Sequence, residues 1–244
     1  MLLNCDLAEG DPRCAREARL MPHLDLANVA CGLHAGGPLA IARTLELARR
    51  HGVAVGAHPG YHDPANFGRV SHPHTAEELA ALLHYQLGAL EALAERAGVA
   101  LYHLKPHGAL YHDMAAEPKI FTTLLEVLAR RGGPRCLVVP ATPDPERLLR
   151  LAAPFGVRLL FEAFADRRYD ARGGLLPRRQ PGAVLDRAAM EEQVARLLEE
   201  GCVETAAGTL LPLAADTLCL HGDTPDAEAA VARLRALVDG VRRR

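Results

Sequence analysis

Seven short apolar runs alternate with stretches of helical hydrophobic spacing, and this alternation restricts the fold more than any other feature of the sequence. Neighbouring parallel strands need a long crossover connection between them, which is usually a helix. The pattern therefore predicts one parallel α/β domain over residues 1–244, as either an open doubly wound sheet or a closed barrel. The predicted strands are Leu2–Asp6, Asn28–Cys31, Val53–His58, Ala100–Lys105, Cys136–Pro140, Leu159–Phe164 and Thr217–His221.

Helices are predicted between these strands, and the second is the best marked. Thr75 and Glu78 form a Thr-x-x-Glu capping box, and leucines then recur at helical spacing. Glu204–Leu213, with Gly208 between two apolar pieces, has the pattern of a hairpin, and Asp166–Val184 is predicted to be a long loop. The predicted helices cover 38–51, 76–97, 117–131, 145–153, 187–200 and 225–242.

The overall charge and the cysteine pattern exclude several classes of protein. A net charge of -2 does not favour a nucleic-acid partner, and we find neither a signal peptide nor an apolar run suited to a membrane. Six scattered cysteines without a Cys-x-x-Cys motif predict reduced thiols in a cytoplasmic protein.

Histidine is abundant in a chain that is poor in Lys, Asn and Ser. There are twelve His, but only two Lys, three Asn and one Ser. The carboxyl ends of parallel strands meet on one face, which is where α/β proteins hold their active sites. We therefore predict a site on that face. The residues that end or closely follow the predicted strands there are Asp6, His34, His58, Lys105, His107, His221 and Asp223.

The available residue types narrow the chemistry of this site. The only Ser, Ser71, is not in a Gly-x-Ser-x-Gly elbow, and neither a P-loop nor a Gly-x-Gly-x-x-Gly motif occurs. Lys105 supplies a compact charge whose pKa responds to burial, a property that Arg lacks. Converging His and carboxylate groups fit general acid–base catalysis or a divalent metal held by Asp and His, and the spacing leaves both open.

Six ordered motifs resemble the LamB/YcsF family and span nearly the whole chain. The resemblance implies a seven-stranded parallel β/α barrel similar to polysaccharide deacetylases. It also implies ATP-dependent hydrolytic opening of 5-oxo-L-proline to L-glutamate by the A subunit of a 5-oxoprolinase, with B and C subunits as partners and ATP as co-substrate. The motifs are Asn4–Leu7, Asn28–Gly36, Gly56–Tyr61, Lys105–Tyr111, Phe164–Arg167 and His221–Pro225.

Within this hypothesis each strand-end residue receives a role, and no residue is assigned as a definite metal ligand. Asp6 is predicted to act as a general base or to position water, and Lys105 to stabilise developing negative charge. His58 and His107 are predicted acid–base groups or metal ligands. The predicted catalytic residues are Asp6, His58, Lys105, His107 and Asp223. The predicted substrate-binding residues are Asn4, His34, Arg167 and His221, with Asp223 orienting His221.

Two alternatives remain at this stage. One is a metal-dependent amide hydrolase or deacetylase that needs no ATP. The other is a non-catalytic subunit that binds a small ligand within a larger complex. Metal analysis distinguishes the first alternative, whereas variants that change affinity but not turnover distinguish the second.

Overall fold

Seven parallel strands close into a barrel in the computed structural model, which describes residues 1–10, 13–221 and 226–242. Going around the barrel, the order is β1, β2, β3, β4, β5, β6 and β9, and β9 pairs with β1 to close it. The barrel strands are β1 Leu2–Leu7, β2 Leu26–Ala30, β3 Ala54–His58, β4 Leu101–Leu104, β5 Cys136–Pro140, β6 Arg158–Phe164 and β9 Thr217–Cys219. Between the last two lies the antiparallel hairpin of β7 Cys202–Glu204 and β8 Leu210–Pro212.

Helices connect the strands and surround the barrel. They are α1 Ala15–Leu20, α2 Pro38–His51, α3 Ala76–Ala97, α4 Gly108–Ala116, α5 Pro118–Arg130, α6 Pro145–Ala152, α7 Arg187–Glu200 and α8 Ala227–Arg242. The predicted capping box at Thr75 and Glu78 is present at the start of α3. Among the residues described, none of the helices combines the length and apolar character that crossing a bilayer requires.

The structure selects the closed barrel from the two predicted sheets and confirms the predicted hairpin. Two helices, α1 and α4, are absent from the prediction. Both are short, with six and nine residues, and α4 begins inside the Lys105–Tyr111 motif, whose Gly and His indicate a turn. The prediction starts the last helix at residue 225, which lies outside the described residues, as does Asp223.

Alternation along β1 explains why the barrel interior becomes polar toward one end. Leu3, Cys5 and Leu7 belong to the large apolar core, whereas Leu2, Asn4 and Asp6 share the other face because side chains alternate along a strand. Leu2 packs against a separate apolar cluster formed by Leu26, Cys136, Val138 and Leu160. That face therefore runs from an apolar contact at Leu2 to the buried polar residues Asn4 and Asp6.

Gly56 of β3 makes room for an imidazole in this polar interior. A Cβ atom at Gly56 would lie 2.1 Å from Nε2 of His103, and the β3–β4 register shifts between Val55 and Gly56. His103 is fully buried and its Nε2–H donates to Oδ1 of Asn28 at 2.6 Å. Burial lowers the pKa of His103 to about 3, so the ring is neutral.

Candidate active site

A cavity of about 740 Å³ opens at the carboxyl ends of the strands, where the sequence predicts the site. Its wall contains six of the predicted site residues together with apolar and Arg side chains. Among the lining residues are Asp6, His58, Lys105, His107, Arg167, His221, Arg69, Tyr111, His112 and Phe164. The predicted face therefore brings together most of its predicted residues.

Lys105 lies at the base of this cavity between two carboxylates. Its Nζ is 2.9 Å from Oδ1 of Asp6 and 2.9 Å from Oε1 of Glu162. It also lies 3.1 Å from Sγ of Cys219. Burial disfavours the ammonium, but Asp6, Cys219 and Glu162 together outweigh burial and raise the pKa of Lys105 well above its usual value. Lys105 is therefore a buried, permanent positive charge beside the cavity.

Asp6 is held in its ionised form by the groups around it. Burial alone would raise the pKa of its carboxyl group, but His58 and Lys105 outweigh burial and keep that pKa well below the usual range. The amide of Asn28 donates to Oδ1 of Asp6 at 2.8 Å and to Oδ1 of Asn4 at 2.8 Å. A carboxylate held in this way is a weak base, and it is suited to orienting water or a cation.

Two backbone carbonyls orient the rings of His58 and His107. Nδ1 of His58 donates to the carbonyl oxygen of Lys105 at 2.7 Å, and Nε2 of His107 donates to that of Phe67 at 2.8 Å. The other two nitrogens, Nε2 of His58 and Nδ1 of His107, face each other at 3.0 Å. Burial disfavours the charged form of His58, but Asp6 outweighs this effect and raises its pKa.

Glu9 joins this histidine pair from the turn after β1. Its Oε1 lies 3.1 Å from Nδ1 of His107, 3.7 Å from Nε2 of His58 and 3.1 Å from Nε2 of His34. The preceding residue, Ala8, has a φ of 63°, a left-handed conformation that directs the turn back toward the barrel. Burial opposes ionisation of Glu9, but its contacts with His107 and His34 outweigh burial and lower its pKa.

Gly36 is required by the same turn. A Cβ atom at this position would lie 2.9 Å from the carbonyl oxygen of Ala8, and Gly36 itself has a φ of 87°. The glycine-rich turn that follows β2 therefore packs directly on the turn that carries Glu9. This close approach explains one of the glycines in the Asn28–Gly36 motif.

His221, which also lines the cavity, pairs with Asp166. Nδ1 of His221 lies 2.9 Å from Oδ1 of Asp166, and its ring stacks on Phe164 with centroids 5.4 Å apart. The predicted orienting partner, Asp223, lies outside the described residues. Within them, Asp166 is the carboxylate that orients His221.

Arg167 holds the long loop that forms one wall. Its Nη2 donates to the carbonyl oxygen of Leu176, and its Nε donates to that of Ala183 at 3.4 Å. Both acceptors lie in the predicted loop 166–184, and Leu176 also lines the cavity. Arg167 thus supports the wall at two points while remaining part of it.

Asn4 and His34 are predicted to bind substrate, but neither side chain forms the cavity wall. Asn4 donates to Oγ1 of Thr217 at 2.8 Å, deep in the barrel. His34 is 1% exposed and stacks on His107, with ring centroids 3.8 Å apart. Burial lowers the pKa of His34 to about 4, so its neutral Nε2–H donates to Glu9. Both residues lie one layer beneath the wall.

Four residues with direct roles in this geometry are missing from the predicted site set: Glu9, Tyr111, Glu162 and Asp166. Glu162 and Asp166 flank the end of β6, and Tyr111 closes the Lys105–Tyr111 motif, so each lies near a sequence signal. Tyr111 contacts the buried Glu162 carboxylate, and its pKa is raised well above normal by burial. Glu9 depends on the turn at Ala8, which strand periodicity does not predict.

Two groups of side chains have the composition of metal ligands. Glu9, His34, His58 and His107 form the first, and Asp6, Cys219 and His221 form the second. In the second group the Lys105 ammonium already lies 2.9 Å from Asp6 and 3.1 Å from Cys219, so a cation is part of its structure. The first group consists of one carboxylate and three imidazoles.

Comparison with known proteins agrees with this architecture. The family model described as LamB/YcsF family matches residues 1–242. The chain belongs to the LamB/YcsF family. One relative, from Pseudomonas putida, is named as a second 5-oxoprolinase A subunit; it is 46% identical and aligns over 99% of this chain and 95% of its own. Another, from Vibrio cholerae, is named as the 5-oxoprolinase A subunit and is 44% identical, with 97% of each chain covered.

A solved structure also resembles this LamB/YcsF protein over nearly its full length. It is described as a lactam utilization protein from Thermus thermophilus and is 35% identical, with a TM-score of 0.85. The match covers 98% of this chain and 96% of that one. The barrel is thus shared with a solved relative, and the relatives' names point to a component of a multi-subunit hydrolase.

Proposed function

We propose that this chain is the A subunit of an ATP-dependent 5-oxoprolinase that works with B and C subunits. In this proposal the complex opens the lactam ring of 5-oxo-L-proline to give L-glutamate, and ATP hydrolysis drives the reaction. The observation that carries the proposal is the buried Lys105 ammonium beside Asp6 at the base of the cavity, in a chain similar to proteins named for this activity.

The substrate explains why ATP coupling is useful. A five-membered lactam closes again readily because its amine stays next to the carboxyl group, and effective molarities of about 10⁵ M or more are known for such intramolecular pairs. Hydrolysis in water therefore gains from ATP, which can phosphorylate the amide oxygen and turn it into a leaving group. Water then adds to the ring carbon, and the C–N bond breaks as the ring nitrogen takes up a proton, which leaves an acyl phosphate. A second water hydrolyses this acyl phosphate to the glutamate carboxylate and inorganic phosphate.

Lys105 and Asp6 are suited to the charge that this reaction develops. In the proposal, the Lys105 ammonium stabilises negative charge on the amide or phosphate oxygen, since a buried, preorganised cation is effective in such a position. Asp6 keeps Lys105 charged and orients the attacking water. The low pKa of Asp6 favours this orienting role over that of general base.

The remaining residues divide between proton transfer and substrate orientation. We assign proton transfer at the ring nitrogen to the pair of His58 and His107, whose facing nitrogens lie beside the cavity. Arg167 is assigned to the substrate carboxylate, because guanidinium groups bind carboxylates through two parallel hydrogen bonds. His221, oriented by Asp166, completes the substrate side, and Asp223 keeps its predicted catalytic role.

A second candidate is a metal-dependent amide hydrolase that needs no ATP. The group formed by Glu9, His58 and His107 favours it, because these are the ligand types of hydrolytic metal centres. The two candidates differ in one requirement that is simple to measure. Ring opening without nucleotide supports the second, whereas ring opening only with ATP supports the first.

All six cysteines are buried thiols, which is consistent with a reducing compartment. We therefore include a cytoplasmic location in the proposal.

The test is glutamate formation from 5-oxo-L-proline, measured for this chain alone and with purified B and C partners, with and without ATP. We expect glutamate and ADP in equal amounts only from the complete mixture. Lys105→Met should reduce the rate at least ~100-fold, as loss of one preorganised charge-stabilising group does. The matched variant Lys119→Met, at an exposed position of α5, should retain the rate. If the complete mixture forms no glutamate, or if Lys105→Met keeps the full rate, the proposal is wrong.

A further inference from the structure

The facing nitrogens of His58 and His107 present an electrostatic problem. Each ring uses its outer nitrogen to donate to a backbone carbonyl, so the inner nitrogen of a neutral ring carries a lone pair. These inner nitrogens, Nε2 of His58 and Nδ1 of His107, lie 3.0 Å apart. Two lone pairs at this distance repel each other unless a positive centre lies between or beside them.

Glu9 adds a third donor and a negative charge at the same point. Its Oε1 lies 3.1 Å from Nδ1 of His107 and 3.7 Å from Nε2 of His58. Three ligands of a tetrahedral ion, each about 2.0–2.1 Å from it, are separated from one another by about 3.3 Å. The three measured separations lie on both sides of this value, so the donor atoms already have the spacing of one face of a coordination tetrahedron.

A cation at the triangle would also compensate a buried negative charge. The Lys105 ammonium pairs with Asp6 and Glu162, whereas the Glu9 carboxylate faces the histidine rings. Uncompensated buried charge is costly, so a cation at this point would offset both the charge of Glu9 and the facing lone pairs.

His34 contributes from outside the triangle. Its ring is parallel to that of His107, with 5° between the planes and 3.8 Å between the centroids. An ion in the plane of the His107 ring therefore lies outside the plane of the His34 ring. The Nε2–H of His34 instead donates to Glu9, and orienting hydrogen bonds of this kind are typical around metal ligands.

We infer that Glu9, His58 and His107 bind one divalent transition-metal ion, with its fourth position directed to the cavity. Two imidazoles and a carboxylate suit Zn²⁺ and neighbouring ions such as Co²⁺ better than Mg²⁺ or Ca²⁺. This ion would lie beside the substrate cavity, so the inference deepens the proposed function. With the ion bound, the facing nitrogens of His58 and His107 would be ligands, which replaces their assignment to proton transfer. The inference rests on the proposed function only for the role that the ion would have in the reaction.

The binding test uses the full chain alone, stripped with a chelator and titrated with Zn²⁺ by calorimetry and with Co²⁺ by absorption spectroscopy. We expect one ion per chain, d–d bands of a four- or five-coordinate Co²⁺ site, and a higher melting temperature. Glu9→Gln and His107→Ala should weaken binding at least ~100-fold, because each removes one of three protein ligands. The matched variant His112→Ala, whose side chain lines the same cavity outside the triangle, should bind as the parent does.

Glu9→Gln is the variant that should remain folded, because glutamine has nearly the same shape as glutamate and Glu9 is more exposed than His107. Failure of the parent chain to bind either ion, or equal binding by Glu9→Gln, overturns the inference. The readout needs neither lactam, ATP nor partners, so it is separate from the glutamate assay. Binding of one ion per chain without glutamate formation supports the metal site and rejects the proposed function. Glutamate formation by a chain that binds no ion supports the proposed function and rejects the metal site.

Discussion

Nζ of Lys105 lies 2.9 Å from Oδ1 of Asp6, and the side chains are only 3% and 9% exposed. The same ammonium contacts Glu162, so a single positive charge holds two buried carboxylates together. The pair joins β1 to the residue that follows β4, on opposite parts of the barrel wall. It therefore has a structural role as well as its proposed role in chemistry.

Removal of Lys105 should destabilise the protein as well as inactivate it. Lys105→Met leaves Asp6 and Glu162 without their cation, and breaking a buried ion pair in this way typically costs about 3–5 kcal/mol. The double variant Lys105→Met/Asp6→Asn should regain part of this loss, because it removes one of the uncompensated charges. Urea unfolding of the parent, both single variants and the double variant measures the coupling, and strictly additive losses would contradict it.

His103 should reduce stability in acid. Its folded-state pKa of about 3 lies below the ordinary 6.5, so between these values the unfolded chain binds a proton that the folded chain does not. Stability must then fall as pH drops through this window, by about 1.4 kcal/mol per pH unit for one group. His103→Gln, which keeps a donor for Asn28, should show a shallower loss between about pH 6 and pH 4 in unfolding experiments than the parent. An unchanged slope would refute the assignment.

Gly56→Ala should destabilise the barrel through direct contact with His103. The added methyl group would lie 2.1 Å from Nε2 of that ring, and overpacking of this kind costs about 1–3 kcal/mol. The control is Gly240→Ala in α8, where nothing lies within 4 Å and helix propensity favours alanine. Thermal unfolding should show a lower melting temperature for the first variant and an equal or higher one for the second.

Arg167→Lys should loosen the loop over residues 168–184. A lysine lacks the planar fork that reaches the carbonyl oxygens of Leu176 and Ala183 together. We expect faster amide hydrogen exchange confined to this loop, with a larger effect on KM than on kcat in the lactam assay. Arg172→Lys, on the exposed part of the same loop, is the matched control. Exchange that is the same in both variants would argue against the anchoring role.

The sequence predicts the barrel strands well because each is a short apolar run that ends in polar residues. It does not distinguish an open sheet from a closed barrel, because closure depends on strand tilt and stagger, which leave no mark on hydrophobic periodicity. The resemblance to the LamB/YcsF family supplies that choice. Helix α4 is missed because its nine residues begin directly after His107, inside a motif that indicates a turn.

The sequence predicts only part of the candidate site. Asp6, His58, Lys105 and His107 converge because they lie at the same ends of parallel strands, and that placement follows from the alternation of strands and helices along the chain. Glu9 and Asp166 reach the cavity through turns, whose geometry depends on backbone angles such as that of Ala8. Glu162 is missed as a partner because a carboxylate within an apolar strand gives no indication of the cation it meets.

The pairing of β1 with β9 places Leu2 beside Thr217, residues from opposite ends of the strand order. During synthesis, one edge of β1 therefore stays unpaired until almost the whole polypeptide has left the ribosome. Until then, Asn4 lacks Thr217 and Lys105 lacks Cys219. The pocket is thus among the last parts of the molecule to mature, and a chain cut before β9 would display two open edges to other nascent proteins.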